Sequence, residues 1–240
     1  MRHRLTAEWM DDPEVDAYLL ADDLRTLAAL NALLGGVRAA LQPLLRRVNR
    51  LPPGMPVRVA DVATGGGDIA RRLVDACRRR GRPVRVVALD RHPKALAYAR
   101  SVARNYPEIA FVQADARDLP LADGDVDFAL LSQALHHLPE SDALQALREL
   151  KRVARRGVAV ADLRRHPLAY LWIRLLTTVW FRNPLARHDG PASIRNAFER
   201  GELGELAARA GLEGATVQCF PFYRLALVYE AVGASECAHV

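Results

Sequence analysis

Two hydrophobic rhythms alternate along the chain, and the switches between them predict its elements. From residue 13 to 50, Leu19, Leu20, Leu24, Leu27, Leu30, Leu33 and Leu34 recur three and four apart, the spacing of one helical face. Gly35-Gly36 breaks that run, a second helix is expected from about Val37 to Asn49, and Pro52, Pro53 and Pro56 close the segment. Short β-branched runs then alternate with longer amphipathic ones. Strands are expected at 57–62, 84–90, 109–114, 126–131 and, after Gly157, 157–162, with helices at 67–80, 93–105 and 140–155. A last helix at 201–211 precedes an antiparallel pair near 214–220 and 223–232. Apolar strands separated by helices predict an α/β fold. The expected sheet has seven strands, mostly parallel with an antiparallel last strand, and helices on both faces.

Residues 163–200 interrupt the alternation and read as an insertion after the fifth strand. The run Leu168–Phe181 is strongly apolar apart from Arg174. It is shorter than the roughly 20 residues that span a bilayer, so stable membrane insertion is not expected. A helix packed on the domain and a lid over a hydrophobic pocket are both compatible with this pattern. The lid is favoured, because ligand sites of such sheets lie at the strand carboxyl ends, beside an insertion at this point. The expected organisation is an N-terminal helical cap at 1–52 and a catalytic domain at 53–240 carrying a helical lid at 163–200.

A chain of 240 residues, half of them apolar, suffices for one α/β domain with a full core. No apolar stretch follows the basic start Met1–Arg4; Glu8, Asp11 and Asp12 come instead, which argues against a signal peptide and for the cytoplasm. Cys77, Cys219 and Cys237 are too widely spaced for a disulfide framework or a zinc motif. The net charge of +6 rests almost entirely on arginine, since Lys94 and Lys151 are the only lysines. Arginines are spread along the chain, with short clusters at Arg78–Arg80 and Arg155-Arg156, and no nucleic-acid motif accompanies them. A solvated basic surface is the expectation, with peripheral contact to an anionic membrane as the minor alternative and a monomer or homodimer as the assembly.

The chemistry concentrates at Val57–Ala70. A β-branched strand ends in Asp61, and Gly65-Gly66-Gly67 then opens into a helix. Such a turn lets ligand groups approach bare backbone. Gly65-Gly66-Gly67-Asp68-Ile69-Ala70 satisfies the dinucleotide pattern, which makes a nicotinamide or flavin enzyme a competitor. Asp61 and Asp68, however, bracket the loop and repel a pyrophosphate, whereas an ammonium or sulfonium suits them. The second strand ends in Asp90, a carboxylate able to accept both ribose hydroxyls of an adenosine. The third runs into Asp115-Ala116, where an acid can accept from an adenine amino group. The fourth leads into Ser132-Gln133-Ala134-Leu135-His136-His137-Leu138-Pro139.

On Asp61-x-Ala63-x-Gly65-x-Gly67, Asp90, Asp115-Ala116 and Ser132–Pro139, the chain resembles class I S-adenosylmethionine (SAM) dependent methyltransferases over about residues 55–162. The loop Asp61–Ala70 is most similar to that of quinone-biosynthesis methyltransferases and their small-molecule relatives. Ala63 departs from the first glycine of many members. The resemblance implies a Rossmann-like fold, SAM as cofactor and no metal. It implies cofactor contacts from Asp61, Ala63, Thr64, Gly65, Gly67, Asp90, Arg91, Asp115, Ala116 and Ser132. A hydrophobic aromatic small molecule is the implied substrate and nucleic acid is not. Met10–Pro13, the apolar insertion and Arg187-His188-Asp189-Gly190 further resemble bacterial methyltransferases of phenolic or polyketide compounds. O-methylation is therefore preferred, with C-methylation of a quinone precursor as the alternative.

A phenol has a pKa near 10, so a histidine in reach is a sensible base. The candidates are His137 and His136, after the fourth strand, and His188, in what reads as a polar loop. Two rival classes stay open: a SAM-binding module without catalysis, and a nicotinamide enzyme. Asp123, Asp125 and Asp127 lack calcium-loop spacing and read as a polar turn around Gly124.

Overall fold

Helix signals at the start of the chain materialise as α1 (Ala17–Leu33) and α2 (Gly36–Val48). Asp16 caps α1 by accepting the Tyr18 and Leu19 N–H groups, and Gly35, at φ +73°, makes the left-handed corner between the two helices. The structure is a computed structural model that describes residues 5–180 and 183–231. Met1–Arg4, Phe181, Val232, Cys237 and His239 lie outside the described residues.

The expected alternation follows. β1 (Val57–Val62), α3 (Asp68–Arg78), β2 (Val84–Asp90), α4 (Pro93–Val102) and β3 (Ile109–Gln113) form the first half. β4 (Val126–Ser132), α5 (Glu140–Val153), β5 (Ala154–Leu163), α6 (Pro167–Trp180), α7 (Pro184–Asn196), α8 (Arg200–Arg209), β6 (Thr216–Phe220) and β7 (Arg224–Glu230) complete it. One seven-stranded sheet runs in the order β3-β2-β1-β4-β5-β7-β6. β7 pairs antiparallel with both β5 and β6, and the pairs among β1–β5 are parallel. The order reverses between β1 and β4, so a crevice opens beyond their carboxyl ends. Two buried clusters flank the sheet. One carries Leu147 and Leu150 of α5 with Leu203 and Leu206 of α8, and the other carries Leu41 and Leu44 of α2 with Leu73 and Val74 of α3. No single described helix is long and apolar enough to cross a membrane.

Three boundaries correct the sequence reading. β5 begins at Ala154, directly off α5, rather than at Gly157. α3 runs Asp68–Arg78 rather than 67–80, because Gly67, left-handed at φ +68°, holds the N-cap and puts Asp68 inside the first turn. Most consequentially, the expected polar loop around His188 is helix α7. Asn183 caps it by accepting the Leu185 N–H, and Pro184 fills a first-turn position whose N–H has no helical partner anyway. Gly190 serves close approach rather than a bend: a Cβ there would meet Thr177 Cγ2 at 3.1 Å and Ile173 Cγ1 at 3.2 Å. Tertiary packing of α6 on α7 thus overrides the local loop signals of Gly190 and Pro191.

The acidic turn is consumed by arginines. Asp123 pairs with Arg152 at 2.9 Å, Asp125 with Arg58 at 2.9 Å, and buried Asp127 with Arg156 and Arg155 at 2.8 and 3.0 Å.

Candidate active site

The turn after β1 is held open from below. Ala63, Gly65 and Gly67 all have left-handed φ values, +54°, +52° and +68°. Thr64 Oγ1 donates to Asp61 Oδ2 at 2.6 Å. Asp61 is fully buried under the loop, and burial pushes its carboxyl from 3.8 up to about 7; the Thr64 hydrogen bond opposes that shift, and the charges of Asp68 and Asp90 add to it. Asp90 ties the same loop to the end of β2: its Oδ2 accepts the Gly65 N–H at 2.7 Å and its Oδ1 the His92 N–H at 2.8 Å. Asp115 accepts from the Arg117 side chain and backbone; that hydrogen bonding outweighs burial and keeps the carboxyl below its ordinary range.

These elements open on a cavity of about 230 Å³ at the strand carboxyl ends. Ala63, Thr64, Gly65, Asp90 and Arg91 line one side of it, and Asp115, Ala116 and Ser132 another. His136 and His137, in a short 3-10 turn after β4, line its far end. Asp61 and Gly67 do not reach it; they shape the loop from beneath and behind. His188 is likewise kept away. Its ring stacks on Trp9 at 4.0 Å and its Nδ1 pairs with Asp189 at 2.7 Å.

A buried polar cluster at the far end was not expected from the sequence. Asp162, at the end of β5, holds His136 Nδ1 at 2.5 Å, and Asp11 holds His137 Nδ1 at 2.8 Å. Both Nε2 atoms face Glu8, at 3.9 and 3.8 Å. Burial disfavours charge on His137, yet Glu8 and Asp11 overcome it and raise the imidazole from 6.5 to about 9. Burial likewise pushes Asp11 up, but His137 and Arg91 prevail and leave it lowered. Helix α7 places this acidic segment. Asp189 accepts the Trp9 and Met10 N–H groups at 2.8 and 2.9 Å, Ser193 donates to Glu8 at 2.7 Å, and Asn196 brackets Thr6 through both its amide atoms. Leu20, Leu24, Leu27 and Leu30 of α1, with Ile173 and Thr177 of α6, supply an apolar wall. The sequence did hold a signal for this assembly, the pair of motifs Met10–Pro13 and Arg187–Gly190, but nothing local said that they meet.

Among the described residues, five buried side-chain polar atoms lack a hydrogen-bond partner, and four of them line this one cavity: Asp23 Oδ1, Asp68 Oδ2, His92 Nδ1 and Ser132 Oγ. Orphaned buried groups cost about 1–3 kcal/mol each unless a ligand satisfies them. The orphans and the acids Asp68, Asp90 and Asp115 offer acceptors and negative charge, the set that a cationic, hydroxyl-rich nucleoside such as SAM requires. A pyrophosphate would meet acids instead of donors.

A mostly parallel sheet with its switch point between β1 and β4, an acid-bracketed glycine turn and a ribose-competent acid at the end of β2 define a class I SAM-dependent methyltransferase. Comparison with known proteins agrees. The family model of a methyltransferase domain matches residues 59–157. An uncharacterized methyltransferase of Synechocystis sp. is 30% identical over 165 residues, which cover 67% of this chain and 68% of that protein. The ubiquinone/menaquinone biosynthesis C-methyltransferase of Rhizobium meliloti is 36% identical over 110 residues, 44% of this chain and only 41% of that enzyme's length. A SAM-dependent methyltransferase from Aquifex aeolicus shares the fold at a TM-score of 0.60 with 19% identity, covering 88% of this chain and 98% of that one. The chain belongs to the SAM-dependent methyltransferases: it is an enzyme, and SAM is its cofactor.

Proposed function

We propose that this methyltransferase works in the cytoplasm and O-methylates a hydrophobic aromatic acceptor of the phenolic or polyketide type. The observation carrying this reading is the Glu8–His136–His137 cluster in the same pocket as the leucine wall of α1. A phenol needs a partner for its proton there, and a flat apolar body needs the leucine wall of α1. When bound, SAM supplies an electrophilic methyl group on sulfur. In this reading Asp90 accepts the ribose hydroxyls, Asp115 and the Ala116 backbone meet the adenine edge, and Ser132 and Asp68 take the polar atoms of the methionine moiety. Within 1–52, α1 and residues 8–11 act as the cap while α2 packs against the sheet, and 163–200 act as a lid; cap and lid together exclude water and hold acceptor against donor.

The proton is handled by two imidazoles with different tasks. His137, charged through Glu8 and Asp11, favours the oxyanion of the acceptor. His136, oriented through Nδ1 by Asp162, leaves Nε2 to receive the proton alongside Glu8. His188 acts as a positioning residue through Asp189. C-methylation of a quinone precursor is the second reading, supported by the likeness to the Rhizobium enzyme.

Incubation with labelled SAM and a panel of phenols, catechols and demethylated quinones tests the choice, with the methylated atom located by mass spectrometry and NMR. An aryl methyl ether supports the first reading, a ring C-methyl product the second. His136→Ala is expected to lower kcat on the phenol by about 10²–10⁴-fold without weakening S-adenosylhomocysteine binding; an unchanged kcat would leave proximity as the whole mechanism.

A further inference from the structure

We infer that the outer face of α6 is a docking surface for an anionic lipid bilayer. Half of the ten large apolar side chains that stand exposed among the described residues belong to this one helix. They are Leu168 at 56%, Leu171 at 63%, Trp172 at 66%, Leu175 at 64% and Val179 at 68%. At about 100° per residue they fall within roughly 100° of arc, a continuous stripe. The opposite side of the helix carries Ala169, Ile173 and Thr177; Ala169 and Thr177 are buried, and Ile173 and Thr177 line the active-site cavity. The stripe is therefore not the packing face of the helix, and an apolar stripe turned to solvent marks an interaction surface.

Charge selects the occupant. From residue 163 to 188 the sequence has no acidic residue and five arginines. Arg174 on α6, with Arg187 and Arg195 on α7, stand exposed. The last two touch the Thr178 carbonyl and the Tyr170 hydroxyl, on the same flank of α6 as Arg174. An apolar stripe with a basic edge and no acids is the composition of a helix that lies in the headgroup region of a bilayer. Each arginine near an anionic surface strengthens such binding roughly fivefold. A second copy of the chain is the poorer occupant, since it would bring the same basic edge and a net charge of +6 against its like.

With its outer side in lipid and its inner side over the cavity, α6 lets an acceptor pass from bilayer to pocket without crossing water. This access route rests on the proposed hydrophobic acceptor; the docking itself does not.

Flotation of the full chain with vesicles of equal parts phosphatidylglycerol and phosphatidylcholine, at low and high salt, tests the docking. The parent should float with these vesicles, lose binding as salt rises, and bind pure phosphatidylcholine weakly. The double variant Leu171→Ser/Leu175→Ser should partition about a hundredfold less while binding S-adenosylhomocysteine as the parent does, which shows that it is folded. A parent that fails to float overturns the proposal. So does a variant that floats undiminished, or a parent dimer that the double substitution splits with no vesicle binding by either form. A chain that methylates a dissolved phenol but never floats leaves the proposed function standing and removes the docking; one that floats but methylates no phenol does the reverse.

Discussion

Replacing Asp90 separates what its carboxylate does for the fold from what it does for the cofactor. Both oxygens accept backbone amides: Oδ2 holds the Gly65 N–H at 2.7 Å and Oδ1 the His92 N–H at 2.8 Å, in a side chain that is 8% exposed. A hydrogen bond to a charged acceptor contributes about 1.5–3 kcal/mol, and its loss leaves a buried amide without a partner. Asp90→Ala removes two such bonds and should cost roughly 3–5 kcal/mol, a large share of the 5–15 kcal/mol that holds a domain together. Asp90→Asn keeps one acceptor oxygen and turns an NH₂ toward the other amide, so about 2–3 kcal/mol should go. Urea denaturation without ligand reads these losses directly. Calorimetric titration with S-adenosylhomocysteine then reads the cofactor contact, expected to weaken about a hundredfold in the Asn variant, equivalent to roughly 3 kcal/mol of lost ribose recognition. Parent-like denaturation of Asp90→Ala would refute the strut between β2 and the glycine turn. Parent-like affinity of Asp90→Asn would refute the ribose assignment, whatever the stability.

Asp61 should carry a pH signature. Its native carboxyl titrates near 7 because it is buried, the unfolded one near 4, so the native state holds the extra proton between these values. Its contribution is therefore intact below pH 4 and declines as pH rises toward 7. Relative to the parent, Asp61→Asn should gain up to about 4 kcal/mol between pH 4 and 8 in denaturant titrations, and a flat difference would refute the shift. Asp189→Ala strips the Trp9 and Met10 amides of their acceptor and should cost about 2–4 kcal/mol. It should also depress kcat more than cofactor affinity, and equal losses in both would contradict a role confined to the acceptor end. Ala63→Gly relieves a left-handed Cβ worth about 1–2 kcal/mol but loosens the unfolded chain, so thermal stability should stay within about 1 kcal/mol of the parent and cofactor binding should persist.

The half of the cavity built on strand ends was legible because its residues are local. A β-branched run that stops at Asp61 or Asp90 sets the acid at a strand end, and the sheet then gathers those ends at the switch point between β1 and β4. The sheet itself followed for the same reason, since period and turn chemistry act over a few residues. Local reading failed at α7, where Gly190 and Pro191 signal a loop and only contact with Ile173 and Thr177 on α6 makes a helix pay. It also failed at Glu8, whose partners Ser193, His136 and His137 lie more than 120 residues away in sequence. Short polar segments have no periodicity that marks them for burial; their burial is decided by whether distant hydrogen-bonding groups meet them.

The two ends of the cavity are consequently built by different physics. The end beside the glycine turn stands on strand termini and backbone turns, so its geometry is set once the sheet has formed. At the end beside Glu8, residues 6–11 have no regular element but a single 3-10 turn, Trp9–Asp11. They are held by Asp189, Ser193 and Asn196 of one helix, and they close on two histidines from another segment. Substitution in α7 can therefore shift Glu8 and Asp11 relative to His136 and His137 without touching the glycine turn. The matched methyltransferase domain, residues 59–157, holds the glycine turn and both histidines and stops short of Asp162 and all of α7.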